Sequence, residues 1–468
     1  MTVSNERKRD FGLALLNLSA WIRSQPWLRA FYRCFPESLR FRILQLLTAR
    51  ANRSVRFERT DAWRCQAAPP AARVLDASAS VPGVPGVNVF AYARGQFGLA
   101  EAARLYTRAL LSAGCRVAMH DITLDLAHSM GDTSLDGHIG DEAPHPINLI
   151  FVNPDYMDGA IECIGRGRFE GRYNIGCWFW ELEKLPDEWL PALADVDEIL
   201  VSSGFVADIV RRVTDKPVLH VPLPVIEQPD SGLQRKDFGL GDKDFVFLCS
   251  FDFNSFVARK NPLATIESFR RAFADGREDV RLLVKSSNGY RHPDRLRELL
   301  NVAVSDRRIM IRDEVIDRSH VQALQRCADV FVSLHRAEGF GLGLAECMRI
   351  GKPVIATAWS GNMEFMTAEN SCLVGYRMIP VGEGEYSHHH GQHWADPDIK
   401  EAAKHMRRLV EDRAFGARIG ARAALDIQEA LSPERVAGRL LERLRALEST
   451  RESTQSTCRQ STMGRSGT

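Results

Sequence analysis

A strand, glycine turn, helix and strand in succession limit this chain's fold more than any other feature. From Val87, "VNVFAYA" leads into "RGQFG", then "LAEAARLYTRALLSA" closed by Gly114, then "CRVAMHDI". Short apolar runs bounded by turn residues read as strands, and the segment between them carries helical spacing. Such a βαβ unit belongs to a parallel sheet covered by helices. Further runs at "INLIFV" (147–152), "YNIGCW" (173–178), "EILVS" (198–202) and "PVLHVP" (217–222) extend that sheet. The polar stretch "QPDSGLQRKDFGLGDKD" then precedes a second series: "FVFLCSF" (245–251), "RLLVKS" (281–286), "RIMIRDE" (308–314), "DVFVSL" (329–334), "PVIAT" (353–357) and "CLVGY" (372–376). A chain of 468 residues exceeds what one core organises, so two parallel α/β domains are expected, at 87–230 and 231–448.

The ends differ from this body. Residues 1–64 read as a basic, aromatic, helical extension: the first sixty hold twelve Arg or Lys against four Asp or Glu, interleaved with Trp21, Trp27, Phe31, Tyr32, Phe35 and Phe41. That mixture suits interfacial helices on an anionic membrane surface and equally a helical extension packed on the body; the sequence leaves both open. Residues 65–86 are rich in Ala, Pro, Ser and Gly and read as a linker. Residues 400–447 have helical periodicity, and the polar, low-complexity tail 449–468 is expected to be disordered.

A formal charge of +1 gives no global pull toward nucleic acid, so no nucleic-acid partner is expected. Ten cysteines without C-x-x-C spacing read as reduced thiols, which favours the cytoplasm. No apolar run approaches the ~20 residues of a membrane-spanning helix. "RKRDFGLALLNLSAWI" imitates a signal peptide, but Asn17 and Ser19 interrupt it and no small-residue cleavage site follows. The expected location is cytoplasmic, and peripheral on the inner face of the membrane where the interfacial reading of residues 1–60 holds.

In open parallel sheets ligands sit beyond the carboxyl ends of strands. Three strand-to-helix junctions carry suitable chemistry. After "DVFVSL", the run "HRAEGFG" leads onto a helix beginning near Leu342, whose amides and positive dipole end suit a phosphate or a sugar hydroxyl. Glu338 precedes that helix and Glu346 lies just over one turn inside it, so both carboxylates can face one cleft; dipole capping and a solvated helix position are the plainer reading. At "FDFNSFVARKNPLATIESFRRAF", Asn261 and Pro262 resemble an N-cap and first helical residue, leaving Arg259 and Lys260 at the helix mouth. Two cations there suit a diphosphate, or are solvated loop residues. Lys285 ends a strand in a normally apolar position. The third junction, "YARGQFGLAEAAR", has Gly95 and Gly98, which would let backbone approach a ligand. "HHH" at 388–390, lacking cysteines nearby, reads as solvated histidines rather than a metal site.

"EGFGLGLAE", followed by "GKPVIAT" and "SGNMEF", resembles the donor-site signature of retaining glycosyltransferases of family 4, bacterial polysaccharide type, and "RKNP", "NSCLVGY" and "WADPD" reinforce the likeness. It spans about 245–400 strongly and 87–225 more weakly. The resemblance implies a GT-B architecture of two facing Rossmann-like domains and a nucleotide diphosphate sugar as donor, with no cofactor or metal required. By likeness, Glu338 and the backbone of Gly339, Phe340, Gly341 and Leu342 hold the donor sugar and distal phosphate. Glu346 holds the ribose, Arg259 and Lys260 the diphosphate with help from Lys285, and Gly98 approaches from the opposite wall. The base would fall near "IRDEV" (311–315).

Two departures stand out. Phe251 and Asp252 replace the glycine–arginine pair of many relatives, and Trp178, Trp180 and Glu181 stand where many carry a histidine. The tryptophans then suit stacking on an acceptor sugar and Glu181 a catalytic role, unless the rings are core residues. The implied reaction moves a hexose of mannose or glucose type to a glycan or lipid-linked glycan acceptor in surface polysaccharide synthesis. A sugar phosphorylase or epimerase, and a catalytically silent sugar-nucleotide-binding scaffold, are the alternatives.

Overall fold

The computed structural model describes residues 13–14, 17–18, 20–22, 25, 27, 53, 55–64, 83–124 and 128–463, the last thirteen as backbone alone. The linker expected at 65–86 lies outside the described residues up to 82. Both series of apolar runs form sheets. The first contains β1 (Gly86–Ala91), β2 (Arg116–Asp121), β3 (Ile147–Phe151), β4 (Tyr173–Cys177), β5 (Glu198–Val201) and β6 (Val218–His220), in the order β2-β1-β3-β4-β5-β6. All its neighbours pair in parallel. The second contains β7 (Phe245–Asp252), β8 (Val280–Ser287), β9 (Ile309–Asp313), β10 (Val330–Ser333), β11 (Val354–Thr357) and β12 (Cys372–Val374), in the order β12-β11-β10-β7-β8-β9, again parallel.

β1, β3 and β5 are buried at every position, as strands covered by helices on both faces must be. Helix α1 (Gly98–Ser112) lies against the first sheet through Ala102, Ala103, Tyr106 and Leu110, whose small alanines let it sit close. In each sheet the chain leaves its first strand to one side and later returns to the other. This reversal falls between β1 and β3 in the first domain and between β7 and β10 in the second. The crevices beyond the carboxyl ends of those strands are where the fold opens to a ligand. The two crevices face each other: Ser203, following β5, donates through Oγ to the carbonyl of Gly339, following β10, at 2.7 Å.

Three expectations about domain limits change. The last helix, α2 (Pro433–Met463), does not end the second domain but returns to pack on α1. Arg443 Nη2 meets Glu198 Oε2 at 2.8 Å, Arg439 donates to the His220 carbonyl at 3.1 Å, and Leu440 and Leu444 are buried there. The tail expected to be disordered from 449 continues this helix to Met463, because no Gly or Pro interrupts 449–463. Residues 55–63 pack on the second domain: Asp313 N–H donates to the Val55 carbonyl at 2.9 Å, Arg59 pairs with Glu314 at 2.7 Å, and Phe57, Trp63 and Phe238 form an aromatic cluster. Phe31, Tyr32, Phe35 and Phe41 lie outside the described residues, while Trp21 and Trp27 are exposed. Among the described residues no helix is long and apolar enough to cross a membrane.

One element is additional to the expected set. Between β12 and the helix Ile399–Glu411 stands an antiparallel hairpin of β13 (Tyr376–Pro380) and β14 (His393–Pro397). Its connecting loop reaches the first domain, where Lys184 N–H donates to Gln392 Oε1 at 3.2 Å. His388 is not a solvated loop residue: its Nε2 lies 3.1 Å from Asp155 and its Nδ1 3.4 Å from Glu188. Among the described residues no group of His, Cys, Asp or Glu has the arrangement of a metal site.

Candidate active site

The turn after β10 is built to hold Glu338 rigidly. Its N–H donates to Ser360 Oγ at 2.8 Å, and its carbonyl accepts from Gly361 N–H at 2.8 Å. Ser360 adopts φ 77°, a left-handed conformation costly for a side-chain-bearing residue. At Gly361 a Cβ would stand 2.1 Å from the Gly339 carbonyl oxygen, so only glycine allows this approach. Gly341, at φ 92°, turns the chain into helix α3 (Leu342–Arg349). Phe340 packs in the core against Phe365, which leaves its backbone as the part available to a ligand.

The two cations expected at the other junction arrive at this carboxylate. Lys260 Nζ lies 2.5 Å from Glu338 Oε1, and Arg259 Nη1 lies 3.4 Å from Glu338 Oε2. Arg259 is fixed further by the carbonyls of Ala337 (3.1 Å) and Ser255 (3.2 Å). Burial pushes the Glu338 carboxyl up, but Lys260 and then Arg259 outweigh it and hold it down at about 2. The Arg259 guanidinium is kept above its ordinary value by Glu181 and Glu338 in spite of its burial. Two cations and two carboxylates thus balance in a largely buried cluster, and a phosphate reaching it would meet donors that are already oriented.

Glu346 is buried in α3, bonded by Arg318 Nη2 and, at 3.2 Å, by Gln325 Nε2. Gly98 begins α1, and a Cβ there would meet nothing within 4 Å, so its face is open. Lys285 is buried among Asp252 and Asp313 rather than bonded to Glu338, and burial lowers its ammonium despite those carboxylates. Asp252, where the family resemblance led to an expectation of a cation, accepts from Asn288 Nδ2 on both oxygens at 2.9 Å.

The stacking role expected for Trp178 and Trp180 does not survive. Both are core residues, 1% and 2% exposed, packed on Trp189 at ring-centroid distances of 6.5 and 4.8 Å. Glu181 does reach the cleft, 3.5 Å from Arg259 Nη1. Its partner Tyr386, whose hydroxyl donates to Glu181 Oε2, comes from the β13–β14 loop of the other domain and was not legible as a site residue. Tyr386 is walled by Phe256, Trp180 and Trp394. A tyrosine six residues beyond a glycine-flanked strand carries no motif of its own.

Residues 243–412 match the family model described as Glycosyl transferases group 1. No curated protein matches the sequence. Among solved structures, Anabaena Alr3699/HepE in complex with UDP and glucose aligns with a TM-score of 0.55 at 14% identity, over 77% of this chain and 100% of that one. Sucrose-phosphate synthase (tll1590) from Thermosynechococcus elongatus aligns with a TM-score of 0.55 at 18% identity, over 78% and 100%. The chain covers 55% of the length of the S. aureus TarM chain, at 14% identity over 64% of its own length and a TM-score of 0.47. At such identities the structural likeness is one of fold, the facing Rossmann-like domains of GT-B enzymes. The segment 243–412, similar to the group 1 glycosyltransferases, is carried on that architecture.

Proposed function

We propose that the chain is a retaining hexosyltransferase that moves a sugar from a nucleotide diphosphate donor to a glycan or lipid-linked glycan. The observation that supports this reading best is the meeting of Arg259, Lys260 and Glu338 at a switch point, beside the first turn of α3. In this reading Arg259 and Lys260 take the diphosphate, with Lys285 adding charge from the sheet. Glu338 and the backbone of Gly339, Phe340, Gly341 and Leu342 hold the sugar and distal phosphate, Glu346 meets the ribose, and Gly98 faces the phosphates from the first domain. The negative charge that develops on the departing diphosphate is what these groups stabilise. The departing oxygen takes the proton of the incoming hydroxyl, and Glu181, held by Arg259 and Tyr386, orients that hydroxyl.

Both carboxylates of the cleft are engaged in ion pairs, which favours a scheme without a protein nucleophile. Cytoplasmic action at an anionic membrane face through residues 1–60 belongs to the same reading, supported by the exposure of Trp21 (54%) and Trp27 (67%).

Release of nucleoside diphosphate from a panel of nucleotide sugars with a mixed acceptor extract tests it. The expected result is turnover that falls at least a hundredfold, about 2.7 kcal/mol of barrier, in Glu338→Gln. Full turnover by that variant rejects the assignment, and donor binding without any release identifies a silent scaffold instead.

A further inference from the structure

Helix α4 (Arg318–Cys327) opens on a cation, although the first turn of a helix presents its positive end. Arg318 is held there by carboxylates of both domains. Its Nη2 donates to Glu346 Oε1 in the second domain, and its Nε stands 3.3 Å from Glu101 Oε1 in α1 of the first. Glu101 in turn accepts through Oε2 from Arg104 Nη2 at 2.6 Å and Nε at 3.0 Å. Arg104 Nη1 donates to the carbonyls of Ala93 (2.9 Å) and Gly95 (2.7 Å), in the glycine turn after β1. A chain of charge, buried at Arg104, Glu101 and Glu346, therefore runs from the first domain's glycine turn to Glu346.

Two details show that this chain does more than fill space. Glu346 has one protein donor on each oxygen, Arg318 and Gln325. Each oxygen keeps a lone pair, so the carboxylate is oriented yet still able to accept two hydroxyls. In contrast, Arg318 Nε and Glu101 Oε1 are buried and face each other at ion-pair distance without hydrogen-bond alignment. Buried polar atoms are normally satisfied, so this contact between domains is one that a small closing movement would improve.

We propose that Arg318 is a positioning residue that ties Glu346 to the first domain through Glu101, so that ribose hydroxyls are recognised at full strength only when the domains are closed on each other. The inference rests on the reading of Glu346 as the ribose carboxylate. It adds that Glu101 and Arg318, acting through Glu346, set how strongly the ribose is distinguished from deoxyribose.

The test uses calorimetric titration of the full chain with UDP, GDP and ADP and with their 2′-deoxy forms. The unaltered protein is expected to prefer a ribonucleotide by about tenfold, the worth of one hydrogen bond to a charged group. Glu101→Gln should bring that preference to about threefold or less by weakening the ribonucleotide and sparing the deoxy form, while Arg318→Lys, which keeps the charge but loses the fork, should fall between. A merely structural loss would weaken both nucleotides alike. A folded Glu101→Gln protein with the original preference overturns the relay. If that variant does not fold, an unchanged preference in Arg318→Lys, at a side chain 30% exposed, overturns it equally. Absence of binding of every nucleoside diphosphate to the unaltered protein overturns the nucleotide-sugar reading itself, a result distinct from binding with the relay absent.

Discussion

Glu181 of the first domain and Glu338 of the second share one guanidinium: Arg259 Nη1 lies 3.5 Å from the former and 3.4 Å from the latter. The cation at the centre of the cleft is thus bonded to both lobes. Breaking either contact leaves uncompensated charge in a largely buried cluster, and that fixes the sign of several effects.

Stability should fall on acidification below pH about 4.5. Glu338 is held at about 2 against burial by Lys260 and Arg259, and Glu101 at about 2 against burial by Arg318, Arg104 and Arg108. A carboxylate depressed in the folded state contributes stability above its unfolded value and loses it as pH falls toward the folded one. At 1.36 kcal/mol per unit, each contributes on the order of 3 kcal/mol across that window. Urea midpoints between pH 7 and 3 measure it; a flat profile would contradict the assigned ion pairs.

Gly361→Ala should wreck the donor turn. The added methyl meets the Gly339 carbonyl oxygen at 2.1 Å and its carbon at 2.3 Å, both backbone. Overpacking of this kind costs about 1–3 kcal/mol, and here it also displaces Glu338. Denaturation together with donor binding shows it, and wild-type values in both would refute the close approach.

Tyr386→Phe should separate the two substrates. The hydroxyl holds Glu181, which the proposed reaction assigns to orienting the acceptor hydroxyl, so its loss should reduce kcat/KM for the acceptor about tenfold while the donor KM stays within about twofold. Equal losses for donor and acceptor would place Tyr386 elsewhere in the reaction.

Vesicle sedimentation addresses the N-terminal extension. Twelve basic residues within the first sixty, with Trp21 and Trp27 exposed, predict binding to anionic vesicles that weakens as salt rises. No binding at low salt dismisses membrane docking.

Much of the fold was readable because local pattern and global architecture agree. Each apolar run from "VNVFAYA" to "CLVGY" became a parallel strand, since a strand covered on both faces must be apolar throughout and few other elements have that signature. Glu338, Arg259 and Lys260 were also readable, because switch-point geometry brings the ends of β7 and β10 together whatever the loops contain. Trp178 and Trp180 were misjudged as sugar platforms, because an aromatic before a carboxylate looks the same in a sequence whether its ring faces a core or a cleft.

By itself the sequence determined the two sheets, the glycine turns and the placing of Glu338, Arg259 and Lys260 at strand-to-helix junctions, all consequences of short-range periodicity and backbone geometry. Only the tertiary structure decided that α2 crosses back to the first domain, that Tyr386 reaches Glu181 and that Arg318 joins Glu101 to Glu346. These are contacts between segments far apart in the chain. Their formation depends on how the two lobes pack, and no local spacing encodes that.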